Sequence, residues 1–215
     1  NYIGTLNMAK ISQKLDVPLV YISTAGVFDG NKLVYTEKDK PNPINVYGKT
    51  KFFGEIAVEN LLKKYFIVRA GWMIGGGKKD KKFLSFIIKQ INEGRKTFNI
   101  VNDTFGNPTY TKFFAQNLYA LTNTKLYGKY HMACTGNTSR VEITKYFLET
   151  LNMKESVINE VSSEFFKKEF FVNRPKYEIL SNSNLEKHDL NLMDGWKEAI
   201  YDYVHTSWKD MIVQG

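Results

Sequence analysis

The sequence predicts an α/β protein built on a parallel sheet, and three features lead there. Short apolar runs rich in β-branched and aromatic residues alternate with longer stretches whose apolar positions recur at helical spacing. Between them lie loops such as residues 29–44, which are rich in Gly, Asn, Asp and Pro. The alternation persists to about residue 150, and strand–helix–strand repetition favours parallel pairing with helices laid on the faces of the sheet.

Taken in order, residues 3–15 carry a helical apolar spacing that Asp16-Val17-Pro18 ends. The run from Leu19 to Ser23 is a buried strand. Residues 29–44 are a loop, and Pro41 and Pro43 precede a helix from Asn45 to Lys64. Tyr65 to Ala70 is the next strand, followed by a Gly/Lys loop from Gly71 to Lys82. Residues 83–93 form a helix that Gly94 stops, Phe98 to Val101 a strand, and Asn102 to Thr109 a turn-rich stretch. Helix is expected over 111–124, strand from Lys129 to Ala133, and helix over 139–151 opened by Thr138 or Ser139. A short strand near 157–161 and a helix across 195–207 complete the tail. Because the tail breaks the alternation, residues 1–150 are expected to form the main domain. Residues 151–215 are expected to form a smaller substrate-facing lobe, interleaved with parts of 72–110.

Composition narrows the function classes. The chain has 215 residues, 43% of them hydrophobic and 24% charged, which suits one sizeable domain or a domain with a small appendage. No apolar run reaches the length of a membrane span, and the beginning has no signal-peptide pattern. One cysteine, Cys134, excludes an internal disulfide and a Cys-rich metal site, and fits a cytoplasmic setting. The three histidines lie far apart, so no metal site is expected. The net charge of +8 is spread over scattered lysines, apart from the run Gly77 to Lys82, and is read as a solvated surface. No zinc-finger spacing or aromatic-basic signature points to nucleic acid.

The chemistry concentrates in Tyr47-Gly48-Lys49-Thr50-Lys51. Tyr47 and Lys51 are four apart at the start of a predicted helix and so share a face. A nearby ammonium favours a phenolate, and a tyrosine so placed can exchange a proton with a carbonyl or an alcohol. By spacing alone such a pair recurs on many helices. Ser23 and Thr24 add weight, because they end the preceding strand, where α/β sheets gather ligand groups.

Three segments together resemble the extended short-chain dehydrogenase/reductases that act on nucleotide sugars: Ser23 to Gly30, Asn45 to Lys51, and Arg69-Ala70-Gly71-Trp72. Asn102 to Thr109, Gly128-Lys129-Tyr130-His131, and Asn173-Arg174-Pro175 followed by Leu180 and Asn184-Leu185 make the chain similar to the dTDP-4-dehydrorhamnose reductases. The resemblance covers nearly the whole chain. It implies part of an NAD(P)-binding Rossmann fold with flanking helices plus a small C-terminal substrate-binding lobe. It also implies NADPH or NADH as cofactor, a nucleotide-sugar substrate and a homodimer. Thr24 would hold the sugar 4-keto oxygen, Tyr47 would protonate it, and Lys51 would tune Tyr47 and bind the nicotinamide ribose. Ser23, Ala70 and Trp72 would lie along the cofactor, and Trp72 would also pack on the sugar. Asn102 and Arg174 would face the nucleotide. Taken singly, Trp72 also fits a core aromatic, Arg174 a surface ion pair, and Asn102 a turn former.

The chain departs from that family in two places. No Gly-rich pyrophosphate fingerprint is present, and Gly75-Gly76-Gly77 has the wrong spacing for one, so the chain is expected to be a fragment beginning after the first part of the Rossmann half. Ala25-Gly26 stand where the family commonly has Asp-Tyr; without an acidic pair there, dehydration is not expected. Two other readings remain open on this sequence: a different epimerase or reductase of the superfamily, and a non-catalytic subunit like the β subunit of methionine adenosyltransferase.

Overall fold

A computed structural model describes residues 1–166 and 172–212. Its centre is a parallel three-stranded sheet in the order β1 (Leu19–Thr24), β2 (Tyr65–Ala70), β7 (Gly128–His131). The middle strand explains its own place: Phe66, Ile67 and Val68 are fully buried, a near-continuous apolar run that suits a strand covered on both faces. α1 (Tyr2–Leu15) and α2 (Val46–Leu61) pack against each other beside β1. α1 ends where the Asp-Val-Pro sequence predicts, and Asp16 closes it in the left-handed conformation.

Among the described residues, the remaining strands pair in three small sheets. β3 (Trp72–Ile74) pairs parallel with β6 (Pro108–Tyr110), and β4 (Thr97–Val101) with β9 (Val157–Val161). β5 (Phe105–Gly106) lies between β8 (Thr138–Ser139), which is antiparallel to it, and β10 (Tyr177–Glu178), which is parallel. α3 (Phe83–Asn92), α4 (Thr111–Thr122), α5 (Arg140–Thr150), α6 (Ser183–Lys187) and α7 (Trp196–Ser207) complete the fold. Ser139 and Glu142 form a reciprocal capping box at the start of α5, matching the predicted start.

Several boundaries differ from the sequence-based expectation. The Gly/Lys loop opens with β3, and the turn-rich stretch 102–109 contains β5 and begins β6. Strands of two or three residues are too short to show a period, so they read as turn. α2 stops at Leu61 rather than Lys64, because the Lys64 carbonyl is taken by the Leu19 amide at the start of β1. β7 ends at His131. Beyond it the Ala133 amide turns to the Asn182 side chain instead of continuing the ladder.

One large core joins β2 to the tail: Phe66 and Val68 belong to the same buried cluster as Ile200, Tyr203 and Val204 of α7. Asn107 ties the crossing segments together, donating to the carbonyls of Cys134 and Leu180 and accepting from the Leu180 amide. Cys134 is fully buried there, and burial pushes its thiol up to about 12. No helix among the described residues is long and apolar enough to cross a membrane.

Candidate active site

The carboxyl ends of β1 and β2 and the first turns of α2 meet at one place. Thr24 is the last residue of β1, in register with Ala70. Its hydroxyl oxygen accepts the Gly26 amide at 3.1 Å and so caps the tight turn over Ala25–Val27. With an acceptor site used in that way, the hydroxyl proton is left to be donated outward.

α2 approaches this turn very closely. A Cβ at Gly48 would lie 2.1 Å from the Gly26 carbonyl oxygen, and one at Gly54 would lie 2.3 Å from the Tyr21 hydroxyl. Two glycines thus let the helix lie against β1 and its turn. Asn45 caps the helix by accepting the Gly48 amide at 2.8 Å, while its side-chain amide donates to the Asn173 carbonyl at 3.0 Å. The same residue therefore holds the tail segment that carries Arg174 to the start of α2.

Tyr47, in the first turn, is 52% exposed, and its hydroxyl has no hydrogen bond to another described residue. Lys51 is half-buried; its ammonium donates to the Ile22 carbonyl at 2.7 Å and lies 5.0 Å from the centre of the Tyr21 ring. Burial holds its pKa below the ordinary lysine value, partly countered by Glu55. Tyr21 is the other phenol nearby. It donates to the Lys51 carbonyl and burial pushes it up to about 12, so Tyr47 is the one with a hydroxyl available to a ligand.

Behind this surface lies a buried polar row. Ser23, Arg69 and His131 stand side by side across the three strands. Glu55 of α2 reaches into the row, accepting from the Ser23 hydroxyl and pairing two-pronged with Arg69 at 2.9 and 2.6 Å. Both members of that ion pair are fully buried. His131 Nδ1 lies 3.1 Å from the Ser181 carbonyl and Nε2 lies 3.4 Å from Arg69, so Nδ1 carries the proton and Nε2 accepts. Burial and the Arg69 charge push this imidazole down to about 3. Ser23 is thus buried and committed to Glu55.

Trp72 is 8% exposed; its indole N–H donates to Glu178 at 2.8 Å. Gly106 lies flat against one part of the ring, where a Cβ would come within 2.7 Å. The Arg140 guanidinium stands 4.1 Å from its centre. Asn102 is exposed, and its amide extends the β4–β9 pairing to the Val161 carbonyl. Arg174 is exposed and near enough to Arg140 to lower its pKa electrostatically. Glu178 and Arg140 escaped the sequence analysis, because neither sits in a motif and only the fold carries them to Trp72. A cleft bordered by Asn107, Cys134, Asn182 and Glu186 includes none of the predicted site residues.

Comparison with known proteins gives a consistent result. Residues 1–208 match the RmlD substrate binding domain. The chain is 29% identical over 205 residues to the spore coat polysaccharide biosynthesis protein SpsK of Bacillus subtilis (strain 168), covering 95% of this chain and 70% of that one. It is 28% identical over 207 residues to dTDP-4-dehydrorhamnose reductase of Mycolicibacterium smegmatis, covering 95% of this chain and 62% of that one. Among solved structures, dTDP-4-dehydrorhamnose reductase from Bacillus anthracis in complex with NADP superposes with a TM-score of 0.88 at 35% identity, covering 96% of this chain and 72% of that one. The chain thus spans about two thirds of the length of these proteins.

Proposed function

The chain belongs to the RmlD substrate binding domain family, and on that premise we propose that it carries the sugar-reducing site of an NAD(P)H-dependent reductase acting on the C4 ketone of a dTDP-4-keto-6-deoxy sugar. The observation that carries this reading is that the first turns of α2, with an exposed Tyr47 and a half-buried Lys51, lie against the end of β1 and the turn that Thr24 caps. The names of the relatives support it, as does the NADP in the Bacillus anthracis structure.

The donor set fits the nicotinamide-ribose end of such a cofactor. Lys51 uses one N–H on the Ile22 carbonyl and keeps others for ribose hydroxyls, and the Tyr47 hydroxyl is unengaged. Bound there, a dihydronicotinamide supplies the hydride. Thr24 donates to the ketone oxygen and fixes the carbonyl. Tyr47 passes its phenolic proton to that oxygen, which becomes the product hydroxyl, and solvent restores the proton through the exposed side of the ring. Lys51 sets a positive charge one helical turn from the phenolate left behind. Trp72, its ring covered by Gly106 and Arg140, would border the sugar by the edge beside Glu178, and Ala70, in register with Thr24, would lie on the nicotinamide side. Ser23 supports this edge from behind through Glu55, and the exposed Asn102 and Arg174 would contact the nucleotide. A cytoplasmic homodimer belongs to the same reading.

The test is NADPH and NADH oxidation by the protein as its gene encodes it, with dTDP-4-keto-6-deoxy-L-lyxo-hexose as substrate. Replacing Tyr47 by Phe should lower turnover by about 10²–10⁴-fold, the usual share of general acid catalysis, and leave the melting temperature nearly unchanged. Wild-type turnover in Tyr47→Phe would remove that residue from the mechanism.

A further inference from the structure

We propose that Glu178, set beside Trp72 by β10, is a sugar-reading residue of this site, accepting a hydroxyl of the hexose next to the carbonyl that Thr24 holds. The inference rests on the reductase reading above and adds a contact that the sequence motifs do not contain. The geometry starts at Gly26. A Cβ built on this glycine would lie 3.5 Å from the Thr24 hydroxyl oxygen and 3.9 Å from Glu178 Oε1. The two oxygens therefore border the same small volume, the one left open by the missing side chain at residue 26. A carboxylate absent from positions 25 and 26 is supplied by a segment about 150 residues further along the chain.

Its placement is fixed on several sides. β10 pairs with β5 in the register Tyr177↔Phe105 and Glu178↔Gly106, and Gly106 is the residue that lies against the Trp72 ring. Oε2 accepts the Trp72 indole N–H at 2.8 Å, which leaves Oε1 turned towards Gly26 and Thr24. Arg140 stands over Trp72 and Phe83, at 4.1 and 4.6 Å, and attracts Glu178 without forming an ion pair with any described residue. The guanidinium thus supplies positive charge near Glu178 without occupying its outward oxygen. A carboxylate oxygen accepts only, whereas the Thr24 hydroxyl has a proton to give. A site with one donor and one strong acceptor bordering the same volume suits a ketone flanked by a hydroxyl, as in a 4-keto hexose.

Binding of dTDP and of dTDP-L-rhamnose, measured by calorimetry on the encoded protein, separates the sugar contact from the nucleotide. Wild type should bind the sugar nucleotide more tightly than dTDP. Glu178→Ala should lose about 10- to 100-fold of that advantage, the range expected for a hydrogen bond to a charged group, and keep its affinity for dTDP. Glu178→Gln retains a carbonyl oxygen for the Trp72 N–H, so its indole fluorescence should match wild type while part of the sugar advantage goes. A sugar advantage unchanged in both variants would overturn the role of Glu178 and leave the reductase reading standing. Failure of wild type to bind either ligand would overturn both, and equal loss of dTDP and sugar-nucleotide affinity in Glu178→Gln would show a structural residue instead.

Discussion

At the scale of single residues, the site depends on which polar groups are already engaged. Ser23 and Thr24 are adjacent hydroxyls at the end of one strand, yet alternation turns Ser23 to the buried Glu55 and Thr24 to the turn. Sequence reading assigned both to the site, because it sees the pair and not the faces. His131 shows a second consequence of burial. Its folded pKa is about 3, against an ordinary value of 6.5. Between those values the unfolded chain binds a proton that the folded one refuses. Its contribution is therefore fully present above pH 6.5 and is lost as pH falls towards 3, amounting at most to roughly 4–5 kcal/mol. Asp29 and Asp39, each held near 2, add to the acid loss below their ordinary value of 3.8, while Glu37, raised by burial, opposes it. Urea unfolding at pH 7, 6 and 5 should show stability falling with acid, and His131→Gln should flatten that fall. An unchanged slope in the variant would mean another group governs it.

At the scale of elements, α2 is the part whose position matters most. Its helical character and its Tyr-Lys face were legible in the sequence, since a capping Asn and a 16-residue helix leave strong local signals. The closeness of its approach was not, because nothing local records that Gly48 faces the Gly26 carbonyl. Ala is a better helix former than Gly by about 1 kcal/mol, so propensity alone favours Gly48→Ala. With its Cβ 2.1 Å from a backbone oxygen, sterics should win, and the variant should lose about 1–3 kcal/mol in chemical denaturation along with most turnover. Gly4→Ala in α1 is the matched control. A Cβ there meets nothing within 4 Å, so this variant should hold or gain stability. Equal behaviour of the two variants would show that the close approach carries no constraint. The short strands β3, β5, β6, β8 and β10 mark the opposite limit: each is defined by its partner, so a local pattern cannot reveal them.

At the scale of the whole molecule, the sequence reading anticipated the central parallel sheet and the flanking helices, because long periodic segments survive any tertiary arrangement. What it missed is long-range. Glu178 and Arg140 reach Trp72 only through the β5–β8–β10 pairing, which joins segments from around residues 105, 138 and 177. The tail likewise shares its core with β2, so sequence position does not reveal how closely α7 and the central sheet are bound together. That shared core gives the lone cysteine a use. Cys134 sits where Asn107 ties three segments, fully shielded and with its thiol far from ionising at neutral pH. In the native state it should resist alkylation by iodoacetamide, and it should react only when the segments part together. Mass spectrometry of labelling against time in dilute urea should then follow the global unfolding free energy, with Gly48→Ala labelling faster than wild type. Rapid labelling without urea would reveal a local opening at this crossing. The chain thus carries its own stopwatch, one sulfur whose first reaction marks the moment the fold comes apart.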